Sequence, residues 1–290
     1  MLRWRLIIGT LLVAGVVGLA YGEIHQEQVG RLMLPVALIV GCLCTGEMLY
    51  LYSARQLHPL LWVPYLGNVL IIISNWLPQW GLGMRDHGPL TWPMIAMAAG
   101  VIMAFIFEMM RYDGTGKITE RLALAILPQA YIGLLLTFLI QLRFLGPVIG
   151  IVALCSLLLV VKLGDIGAYT VGRLTGRHKL VPKLSPAKTW EGLAGGLVFA
   201  CFGAWLAFEV LLPRVVPESE TLRPGWHWLV FGLLVGITGV VGDLAESMLK
   251  RDAGVKDSSR WLPGFGGVLD ILDSILLAAP VAYVGWMWRV

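Results

Sequence analysis

The sequence predicts an all-α, polytopic integral membrane protein of about nine transmembrane helices. Three observations predict it. Hydrophobic residues make up 58% of the 290-residue chain and charged residues only 14%, against about 25% charged in a soluble domain. The apolar residues fall in runs of about 17–25, the length that crosses a bilayer. Trp and Tyr cluster near the ends of those runs, where an aromatic belt meets the two membrane surfaces. A porin-type barrel would alternate in short segments instead.

The expected spans are 6–21, 34–52, 60–77, 92–110, 122–140, 145–163, 193–212, 227–243 and 269–288. In the first, Arg3 and Arg5 precede an apolar run that ends at Gly18-Leu19-Ala20. That resembles a secretory signal, but the many spans that follow favour an uncleaved helix. Residues 1–145 read as a scaffold without a chemical motif, and 146–290 as the catalytic region with two motif loops. Within the scaffold, Glu47 and Glu108 are expected to pair with an Arg such as Arg111, or to lie at the interface. On the eighth span, Gly232, Gly236, Gly239 and Gly242 form a small-residue face suited to close helix packing. No sequence repeat is apparent, which disfavours an inverted-repeat transporter.

Basic residues set the orientation. With the N-terminus in the cytoplasm, one side holds Arg3, Arg5, Arg55, Arg111, Lys117, Arg121 and the basic residues of 173–188 and 250–260. The other side holds only Arg31, Arg85, Arg143, Arg214, Arg223 and Arg289. Both charged loops therefore face the cytoplasm. The net charge of +4 is a topology signal. Its basic residues form no continuous stripe, so nucleic acid is not an expected partner. Cys42, Cys44, Cys155 and Cys201 sit in apolar spans without zinc spacing. The five His residues are scattered at loops and helix ends.

The chemistry is expected in two segments. The first, 164–192, combines Asp165, several glycines, and Ser185-Pro186-Ala187-Lys188-Thr189-Trp190-Glu191-Gly192. Glycines let backbone approach a ligand closely. A helix start near Glu191 presents free N–H groups to an anion, and Lys188 adds a point charge for phosphate. The spacing is not that of a Walker A loop. The second segment holds Asp243 and Glu246, three apart on one helix face, then Ser247, Lys250, Arg251, Lys256, Gly266, Gly267, Asp270 and Asp273. Charge at the bilayer centre costs roughly 2.5–3.5 kcal/mol, so ionisable residues at span ends read as functional. Hard oxygen ligands beside a phosphate substrate suit Mg²⁺. A structural alternative is a salt bridge from Asp243 or Glu246 to Lys250.

These two blocks resemble the bacterial phosphatidate cytidylyltransferases, or CDP-diacylglycerol synthases. The resemblance rests on Ser247-x-x-Lys250-Arg251, Lys256-Asp257, Pro263-Gly264-x-Gly266-Gly267-x-x-Asp270-x-x-Asp273, and the stretch from Asp165 to Gly192. It covers roughly residues 160–280. Two positions depart from the family: Phe265 stands where it usually has His, and Ile271 where it usually has Arg. The resemblance implies transfer from CTP to phosphatidate, giving CDP-diacylglycerol and pyrophosphate, at a multi-pass protein of the inner membrane with a cytoplasmic active site. In that reading Asp243 and Asp270 hold Mg²⁺, with Asp165, Glu246 and Asp273 as further ligands or their neighbours; a second metal ion is left open. Lys250 and Arg251 offset phosphate charge. Ser185, Lys188, Thr189, Glu191, Ser247, Lys256, Gly266 and Gly267 bind substrate. Membrane lipid surrounds the site, and a homodimer is left open. The alternatives are a related CTP-dependent enzyme acting on another lipid phosphate or alcohol, and a transporter.

Overall fold

The computed structural model describes residues 18, 22, 30–57, 60–82, 88–114, 116–215, 226–259 and 266–288. The expected first span therefore lies outside the described residues except for Gly18, and so do His25, His58, His87, Arg260 and Phe265.

Among the described residues, eight helices can be followed from Met33 onward. They are α1 Met33–Ala54, α2 Trp62–Ser74, α3 Thr91–Met110, α4 Ile118–Arg143, α5 Ile149–Thr175, α6 Trp190–Val215, α7 His227–Asp252 and α8 Leu269–Met287. All but α2 are long and apolar enough to cross a membrane, giving seven among the described residues rather than about nine. The chain is a multi-pass membrane protein. Proline shapes two of the helices. In α4, Pro128 has no N–H to donate, and the turn after it widens into a π-helical segment, Gln129–Leu134. In α6 a second π segment, Leu206–Leu211, comes just before Pro213.

Two helices run well past the apolar stretches that announced them. The fifth continues to Thr175 and the seventh to Asp252, so polar residues ride on helical extensions of membrane spans. Between α5 and α6 lies a small antiparallel hairpin, β1 Lys179–Val181 and β2 Ser185–Thr189, with Lys179 opposite Thr189 and Val181 opposite Ser185.

Contacts divide the chain into two compact units. One is 1–141 with 252–270; the other is 142–251 with 271–290. In the first, polar side chains buried between helices satisfy one another, as a membrane interior demands. Asn68 Nδ2 donates to Thr45 Oγ1 at 2.7 Å, and Gln141 Nε2 to Asn75 Oδ1 at 2.8 Å. Buried Glu108 accepts from Arg121 Nε at 2.9 Å, so an Arg does pair with it. Arg55 is ion-paired with Asp252.

The second unit is built on small residues. The crossing of α5 and α6 puts Gly167 against Gly195 and Gly172 against Gly192; a Cβ on Gly167 would lie 2.6 Å from that of Phe199, and one on Gly192 2.9 Å from the Ala168 carbonyl oxygen. The glycines expected to admit a ligand here admit a neighbouring helix. The face on α7 does likewise: Gly232 and Gly236 lie against α6, and Gly242 against the backbone of Asp273 and Ser274 in α8.

Candidate active site

The site in the second unit starts from the hairpin. Thr189 ends β2 with extended backbone and caps α6, its Oγ1 accepting from Gly192 N at 3.1 Å. Just before it, Lys188 reaches α7, where its Nζ lies 2.7 Å from Asp243 Oδ2. The contact is an ion pair without hydrogen-bond geometry. Lys188 Nζ is sealed from solvent and has no hydrogen-bond partner among the described residues.

Asp243 sits among like charges. Its carboxylate repels those of both Asp165 and Asp273. Gly242 explains the second neighbour, because without a side chain there α7 closes on α8 at Asp273. A cation from α5 offsets this acidity. Lys162 Nζ lies 3.3 Å from Asp165 Oδ2 and 3.4 Å from the Ile271 carbonyl oxygen, and also attracts Asp273. Three carboxylates and two ammonium groups therefore share one neighbourhood. The sequence reading missed Lys162. Its signal was there: a Lys inside an apolar run, three residues before an Asp, is rare without a task. Its ammonium also places positive charge beside Ile271, where the resembled family carries Arg.

Other expected residues have different surroundings. Glu246 is fully buried and ion-paired with Lys250 one turn along α7. This is the structural salt bridge weighed above. Ser247 Oγ lies 3.4 Å from Asp243 Oδ1, and Arg251 Nε lies 3.4 Å from the Leu184 carbonyl oxygen, tying α7 to the hairpin. Glu191 is matched to His178: its Oε1 lies 2.6 Å from His178 Nδ1 and also accepts from His178 N. Ser185 opens β2 half-buried, with Val181 as its strand partner.

The rest of the second motif belongs to the first unit. Asp270 Oδ2 accepts from Ser258 N at 2.9 Å, Ser258 Oγ at 2.6 Å and Gly267 N at 2.8 Å. This carboxylate thus folds the segment before α8 onto the helix start, in the manner of a capping box. Gly266 has φ +89°, a conformation that favours glycine. At Gly267 a Cβ would strike Ser258 Oγ and the Glu47 carboxylate. Lys256 is exposed on the segment after α7.

Among the described residues, no three His, Cys, Asp or Glu side chains group closely enough to form a metal site by themselves. Mg²⁺ does not ask for such a cage; it is usually held by one or two carboxylates plus substrate phosphates and water. Asp243, which repels both Asp273 and Asp165, brings hard-oxygen donors of that type into one neighbourhood.

Comparison of the whole sequence adds the family. The pattern that defines the cytidylyltransferase family matches residues 3–287. The chain belongs to the cytidylyltransferase family. It is 33% identical to a phosphatidate cytidylyltransferase of Mycobacterium leprae, over 89% of both chains. It is 31% identical to one of Staphylococcus epidermidis, over 87% of this chain and 88% of the relative. With the Haemophilus influenzae phosphatidate cytidylyltransferase it shares 40% identity over 134 residues, 46% of this chain. In this cytidylyltransferase the acid-and-lysine neighbourhood of the second unit therefore stands as the candidate catalytic centre, with Lys188 and Asp243 at its middle.

Proposed function

We propose that this cytidylyltransferase moves the CMP group of CTP onto the phosphate of phosphatidate, forming CDP-diacylglycerol and releasing pyrophosphate. Family membership and the names of its long-range relatives support the reading. The structural observation that carries it is Lys188: a sealed ammonium, uncommitted to hydrogen bonds, beside carboxylates suited to a divalent cation.

The attacking atom is an oxygen of the lipid phosphate, which is already anionic near neutral pH. A new bond forms from that oxygen to the α-phosphorus of CTP, while the bond from the α-phosphorus to the bridging oxygen breaks and pyrophosphate leaves. No strong general base is required. The protein's contribution is positioning and charge stabilisation. Lys188 and Lys162 offset the charge that gathers on the phosphates. Asp243 and Asp273, with Asp165 beside them, would hold Mg²⁺, whose chemistry is to neutralise phosphate oxygens and stabilise the leaving group. Thr189 fixes the start of α6 and so the position of Lys188. Asp270 keeps the Gly266-Gly267 turn closed on α8. The acyl chains stay in the bilayer, and the site opens to the cytoplasmic face of the inner membrane, where CTP is found.

The test is direct. Purified protein is incubated with labelled CTP, phosphatidate and Mg²⁺, and the lipid product is identified by mass. CDP-diacylglycerol with release of pyrophosphate is the expected outcome, lost on chelation of the metal. A lipid gaining only a phosphate, with CDP released, would identify a kinase instead.

A further inference from the structure

Glu47 lies in α1, far in sequence from either motif, and is only 5% exposed. A buried carboxylate is tolerated when donors surround it. The donors here come from the second motif. Glu47 Oε1 accepts from Val268 N at 2.9 Å, and Oε2 from Leu269 N at 2.8 Å. The hydroxyl of Ser258 lies 2.9 Å from Oε2 and that of Ser259 3.1 Å from Oε1. Val268 and Leu269 are at the first turn of α8, whose N–H groups have no partner within the helix. Glu47 therefore caps α8 from another helix, placing negative charge at its positive end.

The same carboxylate bears on the residues that fold the motif. The Ser258 hydroxyl sits between Glu47 Oε2 and Asp270 Oδ2. It has one hydrogen to donate, so the two carboxylates share it. Gly267 must lack a side chain because Glu47 and Ser258 occupy that space. Ser259 Oγ also reaches the Gly266 carbonyl oxygen, at 3.0 Å. Each contact is to a motif residue or to its immediate support.

We infer that Glu47 is a positioning residue for the reaction: it holds the start of α8, the helix that carries Asp273 four residues after Leu269, together with the Ser258–Ser259 segment that Asp270 and Gly267 close on. The inference rests on the transferase reading for the reaction itself, but not for the geometry. Glutamine keeps the shape of this side chain and fails the task, because its NH₂ meets donors where an acceptor is needed. Aspartate keeps the charge and falls short by one methylene.

The experiment compares wild type with Glu47→Gln, Glu47→Ala and Glu47→Asp, each as the full-length protein in lipid nanodiscs. Hydrogen exchange reads the geometry. In Glu47→Gln, amides of residues 258 and 267–269 should exchange at least about tenfold faster, the loss of order of one charge-assisted hydrogen bond. Kinetics read the consequence. The kcat per folded protein should fall at least about 30-fold while KM for CTP moves less than about threefold, since positioning acts on the transition state more than on binding. Aspartate should restore part of both. Unchanged exchange at those amides would overturn the inference whatever the reaction is. Raised exchange with unchanged kcat would overturn it too, leaving Glu47 a cap without bearing on catalysis. Should the alanine protein fail to fold, the glutamine and aspartate proteins decide. A different lipid product in the wild type would sink the transferase reading, while the exchange data would still judge the geometry.

Discussion

The Lys188 ammonium lies 2.7 Å from the Asp243 carboxylate, so the hairpin that ends one charged segment meets the helix that begins the other. Removing this ammonium should hurt more than an ordinary surface change. Lys188→Met is expected to lower kcat/KM for CTP by about 100-fold, close to 2.7 kcal/mol of transition-state stabilisation. A steady-state titration of CTP with the purified variant checks this; a loss under about threefold would remove Lys188 from the site.

Asp243 and Asp273 should show a linked dependence on metal. Asp243→Asn or Asp273→Asn should each cut turnover by at least about 100-fold, and Asp165→Asn less. Insertion into the membrane should be unaffected, because each substitution relieves repulsion between neighbouring carboxylates. Turnover measured across a Mg²⁺ titration, with chelation as the zero point, is the readout. Near wild-type rate at saturating Mg²⁺ would show that the substituted residue is no ligand.

Glu246 and Lys250 predict the opposite pattern. Glu246 is fully buried and its ion pair with Lys250 is part of α7. Breaking a buried pair from one side costs about 3–5 kcal/mol, whereas replacing both partners by apolar groups is often close to neutral. Lys250→Met alone should therefore lower thermal stability clearly in detergent, and the double variant Glu246→Leu with Lys250→Met should recover most of it. Equal loss in single and double variants would rule out the pairing as the cause.

Orientation is testable without activity. Lys183 is exposed in the hairpin turn and Lys256 on the segment after α7. Cysteines placed at 183 and 256 should resist a membrane-impermeant reagent added to intact cells and react once the cells are opened. Labelling of either position in intact cells would contradict a shared cytoplasmic face. The native cysteines are buried or half-buried, so background should be low.

Hydropathy made the spans legible, and it also set the limit of what could be read. The expected span 145–163 became a helix reaching Thr175, because hydropathy reports where lipid ends, not where helix ends. Beyond Leu163 the helix is held by α6 against its glycines, a packing relation that a single sequence does not display. The hairpin escaped notice for a similar reason: three- and five-residue strands around Pro182 and Lys183 are too short for a periodicity signal. Site residues followed the same division. Lys188 and Asp243 were legible because both lie in dense polar blocks. Lys162 was missed because it stands alone in an apolar run. Glu47 was expected to pair with an Arg or to lie exposed at the interface; it is buried and caps a helix, a role the sequence could not announce because backbone N–H groups are anonymous in it.

That cap has a consequence for how the protein is made. During synthesis Glu47 leaves the ribosome 221 residues ahead of Val268, one of the amides that will satisfy it. Until then α1 must carry a carboxylate that a bilayer interior penalises. The helix can wait at the water interface or within the insertion machinery, but it cannot settle alone in lipid. Its final depth is thus fixed only when α8 arrives, so assembly closes from α8 back onto α1.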